Sequence, residues 1–126
     1  MKKRMFYALI GLFMIPVSGC QTAREPLSSD TILRSTLSGA EIDRYMDYTD
    51  EFHAQLALEY NQYKLPRHWE NPVSHAIFTI IPTSSYQNAS DQRCREFKAD
   101  IFAGGNREVG SAIACRQPNG VWRIRH

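Results

Sequence analysis

The sequence predicts an α+β fold, in which one N-terminal amphipathic helix packs on a small antiparallel sheet of about four strands with one disulfide bond. Three observations predict this class. A capping-box pattern opens a helical periodicity at Ser38, and alternating apolar residues follow from Ser74. Two strand-like runs, each with one cysteine, then flank a Gly-Gly pair, which favours a tight hairpin turn.

The first 19 residues have the pattern of a secretion signal. A basic stretch at residues 2–4 precedes an apolar run at residues 5–16, which is too short to span a bilayer as a permanent helix. The tetrad at residues 17–20 resembles the lipobox of bacterial lipoproteins, which implies that the preceding peptide is removed and that Cys20 is acylated, for example with palmitate. Gln21 resembles the sorting signal for the outer membrane. An ordinary cleaved signal, with Cys20 as an unmodified thiol, is the alternative.

These patterns divide the chain into three segments. Residues 1–19 form the predicted signal peptide, residues 20–37 the lipidated cysteine and a polar tether, and residues 38–126 the folded domain. The apolar residues of the tether are too sparse to predict a core element. We therefore expect the tether to hold the domain off the membrane surface.

Charge argues against nucleic acid as a partner. The net charge of +2 includes three positive charges within residues 1–19, which leaves −1 for the rest of the chain. The later arginines alternate along strand-like runs and form no clustered basic patch, which is typical of a solvated face: Arg93, Arg95, Arg116, Arg123 and Arg125. An acidic partner, such as the phosphates of lipid A, is the alternative reading of these arginines.

Cysteine usage agrees with an oxidising compartment. Lipidation of Cys20 leaves an even pair, Cys94 and Cys115, which predicts one disulfide bond. A zinc site would need two further ligands, and the four histidines lack paired ligand spacing. We therefore expect no metal ion and no cofactor.

The register of the cysteine hairpin follows from its loop. If the loop is centred on residues 104–105, the numbers of two residues that lie opposite each other on the two arms add up to 209. Cys94 then faces Cys115. The apolar alternation of the two arms instead favours a sum of 210. A β-bulge on the first arm, near Arg95 or Glu96, would reconcile the two registers.

The helix is predicted from Ser38, which fits a capping box with Glu41, to about Asn61. An apolar stripe at helical spacing is expected to cover one face of the sheet: Ile42, Tyr45, Met46, Phe52, Leu56 and Tyr60. The acidic residues between them, including Asp50 and Glu51, are expected on the solvent side.

The sheet is predicted from three further patterns. Residues 74–83 form the first expected strand, and apolar residues on both of its faces indicate cover from two sides. The preceding stretch around Trp69 is expected to bridge the helix and the sheet. A Pro-Asn-Gly turn after the second cysteine leads to a last strand at residues 121–125.

Short motifs in the predicted domain carry a resemblance to a known family. They are W-E-N-P at residues 69–72, C-R-E-F at residues 94–97 and A-C-R-Q-P-N-G-V-W at residues 114–122. Together they resemble the C-terminal domain of the rickettsial 17 kDa surface antigen family of outer-membrane lipoproteins, over roughly residues 37–125. His75 departs from the pattern, because a glycine is common at that position. The family has no established enzymatic activity, so the resemblance implies a role in the envelope.

We therefore expect a non-enzymatic outer-membrane lipoprotein whose domain lies in the periplasm or at the cell surface and contacts an envelope protein. An accessory role in a secretion or conjugation apparatus fits this class. The residues expected to make the contact are Trp69, Tyr86 and Arg123. The alternative is a ligand-binding or inhibitory module for a polysaccharide or a cell-wall hydrolase, in which aromatic residues stack on sugars: Tyr60, Tyr63, Trp69, Tyr86 and Trp122. The sequence lacks the nucleophile, metal and phosphate-loop motifs of common enzyme classes.

Overall fold

The computed structural model describes residues 31–126, except residues 38 and 40, together with Gly11. Its elements in chain order are helix α1 (Ile32–Thr36), a 3-10 helix (Ile42–Tyr45), helix α2 (Tyr48–Tyr60), and strands β1 (Arg67–Glu70), β2 (Ile77–Gln87), β3 (Arg93–Ala103), β4 (Asn106–Arg116) and β5 (Trp122–Ile124). The strands form one antiparallel meander in sequence order. The predicted α+β class is confirmed, with five strands where about four were expected. None of the described helices is long and apolar enough to cross a membrane.

The cysteine hairpin forms as its loop predicts. Gly104 and Gly105 both have positive φ, at 57° and 79°, which is the geometry of a two-residue hairpin turn. Cys94 lies opposite Cys115, and the disulfide bond between them is confirmed. The register is constant from the cysteines to the loop, so the expected bulge near Arg95 is wrong. An irregularity lies instead between β2 and β3, at residues 82–84.

Helices α1 and α2 cover one face of the sheet, and the hydrophobic core lies between them and the strands. Large side chains from every layer are buried there, among them Ile32, Leu33, Leu37, Leu58, Phe78, Ile80, Phe97, Ile101 and Trp122. Each such side chain contributes about 1.5–3 kcal/mol by leaving water. Residues 31–37, which the sequence assigned to the tether, therefore belong to the core, and that assignment is wrong.

Strand β4 reaches the helices with small residues. Gly110, Ala112 and Ala114 alternate along its inner face. A Cβ added at Gly110 would lie 2.2 Å from the carbonyl oxygen of Thr36, so only glycine lets α1 approach this closely. The apolar side chains of β4 with odd numbers point to the opposite face, which explains why the predicted register of 210 failed.

The long predicted helix is two elements. Helix α2 begins at Tyr48, where Asp47 is the N-cap and forms a capping box with Asp50. Met46 has an extended backbone, with φ −110° and ψ 144°, and separates α2 from the 3-10 helix before it. The predicted cap at Ser38 lies outside the described residues.

Helix α2 is also rotated relative to the prediction. Its buried residues are Asp50, Glu51, Ala54, Ala57 and Leu58. The predicted stripe residues Phe52 and Tyr60 are exposed instead, and Leu56 is only half-buried. The prediction that the acidic residues face solvent is therefore wrong. Tertiary hydrogen bonds, described below, hold these carboxylates against the sheet.

No described element covers the opposite face of the sheet, which we call the open face. Ile77, Phe102 and Val109 lie on it and are about half exposed. The expectation that the strand of residues 74–83 is covered from two sides is therefore wrong. The short edge strand β1 was not predicted, because its residues around Trp69 are mostly polar and show no strand alternation.

Candidate functional site

The W-E-N-P motif binds the start of α2. The carboxylate of Asp50 accepts hydrogen bonds from Trp69 Nε1 at 2.9 Å, Asn71 Nδ2 at 2.7 Å and the backbone N–H of Asp47 at 2.8 Å. Asn71 Oδ1 accepts from the backbone N–H groups of Val73 and Ser74, which shapes the turn into β2. Burial raises the pKa of Asp50. The motif therefore ties α2 to the turn between β1 and β2.

Position 75 in the same turn requires a left-handed backbone. His75 has φ 60°, a conformation that glycine adopts without steric cost. In the family that the sequence resembles, the glycine common at this position would adopt the same left-handed conformation, which the turn requires. His75 keeps the conformation, and its Nδ1 lies 3.1 Å from Glu70 Oε1.

The next residue of α2 caps a neighbouring helix. The carboxylate of Glu51 accepts hydrogen bonds from the backbone N–H groups of Ile32 at 2.9 Å and Leu33 at 3.2 Å. These groups belong to the first turn of α1, where N–H groups have no partner within the helix. Burial raises the pKa of Glu51. The buried carboxylate is therefore a structural cap.

The C-R-E-F motif binds the other end of α2. The guanidinium of Arg95 is buried and donates to the carbonyl oxygen of Leu58 and to Ser85 Oγ, both at 2.8 Å. The carbonyl groups in the last turn of a helix lack partners within it, so Arg95 supplies one. Burial lowers the pKa of Arg95. In the same motif, Phe97 lies in the core.

The last motif holds β5 against α2. The amide of Gln55 pairs with the backbone of Trp122, accepting from its N–H and donating to its carbonyl oxygen, each at 2.8 Å. Glu59 accepts from Trp122 Nε1 at 2.8 Å and from Arg116 Nε at 3.0 Å. The hydrogen bond from Trp122, followed by the contact with Arg116, lowers the pKa of Glu59. The motif residues thus act as a scaffold.

The three residues predicted to make contacts separate into two groups. Trp69 is buried, and its ring stacks between those of His53 and Phe78, with centroids 5.1 and 5.2 Å away. Tyr86 and Arg123 lie on the open face, in one cross-strand row with the disulfide, because Tyr86 is opposite Cys94 and Cys115 is opposite Arg123. The structure therefore brings Tyr86 and Arg123 to the same surface and places Trp69 in the core. Cys20 lies outside the described residues.

A groove adjoins the disulfide row on the open face. Its volume is about 760 Å³, and its lining includes Thr83, Glu96, Lys98, Ser111, Ile113 and Arg125. Arg125 Nη1 donates to the hydroxyl of Tyr86 at 3.0 Å, which connects the groove with the row. The sequence analysis did not select Glu96 or Lys98. Strand alternation in the register of 209 would have placed both on the same face as the cysteines.

The groove offers one carboxylate and two cations to a ligand. Such a mixture suits hydrogen bonding and charge pairing with the polar surface of a partner. Among the described residues, no group of three or more His, Cys, Asp or Glu side chains is arranged to bind a metal ion. We take the open face, with the disulfide row and this groove, as the candidate interaction site.

Comparison with known proteins identifies a family and several relatives to which the chain is similar. Residues 57–123, from the second half of α2 to β5, match the model of the family described as 17 kDa outer membrane surface antigen. The 17 kDa surface antigen of Rickettsia bellii (strain RML369-C) is 33% identical over 86 residues, which are 68% of this chain and 54% of that protein. That of Rickettsia felis is 32% identical over 74 residues, 59% of this chain and 46% of that protein.

The chain spans about half the length of the curated relatives it matches. No solved structure matches it. The matched span includes all three motifs, and their buried residues hold α2 to the sheet. On this match and these motifs, the chain belongs to the 17 kDa outer membrane surface antigen family.

Proposed function

We propose that this protein is a non-enzymatic lipoprotein of the outer membrane, anchored through acylated Cys20, and that its domain binds another envelope protein. The lipobox-like tetrad at residues 17–20 and the family description support the anchor and the location. An accessory role in a secretion or conjugation apparatus is the specific form that we propose. Binding, and not catalysis, is the role that we assign to the domain.

One observation carries the proposal. The buried ionisable groups are engaged in holding the fold, since the carboxylates of Asp50 and Glu51 accept backbone or side-chain N–H groups. The open face, by contrast, presents Tyr86, Arg123 and the adjoining groove to solvent. A tyrosine and an arginine beside a groove are the residue types that most often contribute binding energy at protein interfaces.

The alternative of a polysaccharide-binding module receives less support from the structure. Trp69 and Trp122, two of the five aromatic residues on which it rested, are core residues. Tyr60 and Tyr63 are exposed, but Tyr60 lies on α2 and Tyr63 in the segment after it, whereas Tyr86 lies on the open face. The aromatic residues therefore do not share one surface on which a glycan could stack.

Photo-crosslinking in intact cells tests the proposal. A photoreactive residue at position 86 or 123 is expected to capture one defined envelope protein, whereas the same residue at position 69, in the core, captures nothing. Substitution of Cys20→Ser is expected to remove the protein from the outer-membrane fraction. Capture of glycan alone would favour the alternative function. Absence of any captured protein from both surface positions would contradict the proposal.

A further inference from the structure

A row of large apolar side chains runs along the outward side of α2. Tyr48, Phe52 and Tyr60 are 52%, 62% and 73% exposed, and the half-buried Leu56 lies between them at the same four-residue spacing. Tyr63, just after the helix, is also exposed. We call these five residues the outer stripe. Contiguous exposed apolar residues of this kind usually mark a contact surface.

The carboxylate of α2 on the side of the outer stripe is paired. Asp50 and Glu51 are buried, whereas Glu59, seven residues after Phe52, is partly exposed and accepts hydrogen bonds from Arg116 Nε and Trp122 Nε1. Lys64 follows the stripe, and its Nζ lies 5.0 Å from the centroid of the Tyr63 ring. Aromatic rings with polar tips, flanked by a cation, are typical of surfaces that lie in the interface of a membrane.

Most charges near the start of the stripe occur in pairs. Arg34 forms a salt bridge with Asp43, and Arg44 forms one with Glu41. A third carboxylate, Asp47, lies directly before Tyr48, where it accepts the backbone N–H of Thr49 as the N-cap of α2, at the positive end of the helix dipole. With two of the three carboxylates paired and the third at the helix N-terminus, repulsion of phospholipid headgroups in this region is small.

The path of the chain brings the helix layer toward the anchor. Thr31, the N-cap of α1, is eleven residues after Cys20, so it lies at most about 40 Å from it. Helix α1 packs on α2 through the cap that Glu51 provides. The side of the domain that receives the chain from Cys20 is therefore the helix layer, and the open face lies on the far side of the sheet.

We propose that the outer stripe lies in the headgroup region of the phospholipid bilayer to which Cys20 is anchored. The helix layer then faces the membrane, and the open face points away from it toward a protein partner. The inference rests on the proposed lipid anchor and adds a second contact with the membrane. A tethered domain needs only weak intrinsic affinity for this contact, because the anchor raises its effective concentration at the surface to the millimolar range, as a short flexible linker does.

The open face is less suited to lipid. Charged side chains of both signs alternate with its apolar residues: Glu70, Glu96, Lys98, Asp100, Arg107 and Arg123. Burying such a mixture in a headgroup region would cost the hydration of each unpaired charge. Phe102 is half exposed on this face and offers a matched control for Phe52.

Tryptophan quenching tests the orientation. The lipidated full-length protein is purified from cells as the unsubstituted form and as Phe52→Trp and Phe102→Trp, and each is incorporated into vesicles of phosphatidylethanolamine and phosphatidylglycerol with brominated acyl chains. Trp69 and Trp122 are buried, so the unsubstituted protein supplies the background. We expect Phe52→Trp to shift to the blue and lose most of its added fluorescence, and Phe102→Trp to keep both its emission maximum and its intensity.

The other outcomes are equally informative. Quenching of Phe102→Trp in place of Phe52→Trp, quenching of neither, or a blue shift of Phe52→Trp without quenching would each overturn the inference. In all three cases flotation with the vesicles would leave the lipid anchor intact. Protein that fails to float would overturn the proposed anchor, and the inference with it. Tyr60→Trp repeats the test within the stripe, and circular dichroism verifies that each variant is folded.

Discussion

The two faces of α2 reverse the usual arrangement of an amphipathic helix, because acidic residues face the sheet and aromatic residues face outward. The face toward the sheet contains Asp50 and Glu51, both buried, beside Ala54, Ala57 and Leu58. The outward face contains exposed aromatic residues. On the inner face each carboxylate accepts at least two N–H groups. On the outer face the rings of Tyr48, Phe52 and Tyr60 are more than half exposed.

This difference shows that an apolar stripe on a helix does not always face the core. Hydrophobic periodicity identifies a helix, but the side that faces the core depends on all its partners. Here three hydrogen-bonding links, to Trp69, to α1 and to Trp122, determine the rotation of α2. The same rotation leaves the apolar stripe available for a contact outside the domain.

The largest effect is expected from Asp50→Ala. This change removes the acceptor of Trp69 Nε1, Asn71 Nδ2 and the N–H of Asp47, and leaves these donors without that partner. We expect a loss of roughly 3–4 kcal/mol in the free energy of unfolding, measured by urea denaturation. Gln62→Ala, at an exposed position just after the same helix, is the control and should change stability by less than about 0.5 kcal/mol. A small loss for Asp50→Ala would show that the inner face does not depend on its carboxylate.

Leu58→Ala ranks second. Leu58 is fully buried between α2 and the sheet, so truncation leaves a cavity as well as losing apolar burial. The expected cost is about 3 kcal/mol by the same denaturation measurement. A cost near zero would indicate that the inner face is not packed as the structure has it.

A smaller effect is expected from pH, because the contributions of Glu51 and Glu59 to stability should change with pH in opposite directions. Burial raises the pKa of Glu51 above its ordinary 4.5, so the stability of the unsubstituted protein relative to Glu51→Gln is greatest below about pH 4.5. That advantage is lost as the pH rises through the pKa of the folded state. The hydrogen bond from Trp122 and the contact with Arg116 lower the pKa of Glu59, so its contribution is present above about pH 4.5 and is lost as the pH falls.

Unfolding curves of Glu51→Gln and Glu59→Gln across this range should therefore give stability differences, relative to the unsubstituted protein, with opposite slopes against pH. Slopes of the same sign would contradict the distinct environments of Glu51 and Glu59. The comparison needs no absolute pKa, because each variant is measured against the unsubstituted protein at the same pH.

The smallest effect is expected from Phe52→Ala. Phe52 belongs to the outer stripe and is mostly exposed, so its removal should change the stability of the domain in solution by less than about 0.5 kcal/mol. Leu58→Ala, six residues further along the same helix, is the matched buried change. A loss for Phe52→Ala as large as that for Leu58→Ala would remove the distinction between the two faces.

The sequence was sufficient where local chemistry determines structure. The Gly-Gly loop requires positive φ at both residues, and the position of Cys94 and Cys115 then follows from counting. The hairpin and the pairing of its cysteines were predicted on this basis. The row of Tyr86 and Arg123 depends in addition on the registers of β2 with β3 and of β4 with β5, which the Gly-Gly loop does not set.

Tertiary contacts account for what the sequence did not reveal. Gly110, Ala112 and Ala114 are poor signals of a core strand, yet their small size is what admits α1. Residues 31–37 looked too sparse for a core because their partners are distant in the chain. The exposed stripe was mistaken for the core face because the hydrogen bonds of Asp50 and Glu51 cannot be read from spacing.

Hydroxyl-radical footprinting of the purified domain, residues 31–126, tests the rotation of α2 most directly. Oxidation rates of individual aromatic residues, each divided by its rate in the urea-unfolded chain, report exposure in solution. We predict little protection of Phe52 and Tyr60 and strong protection of Trp69 and Trp122. Strong protection of Phe52 and Tyr60 in the monomer would contradict the account, because it would place the stripe in the core and the carboxylates of α2 in water.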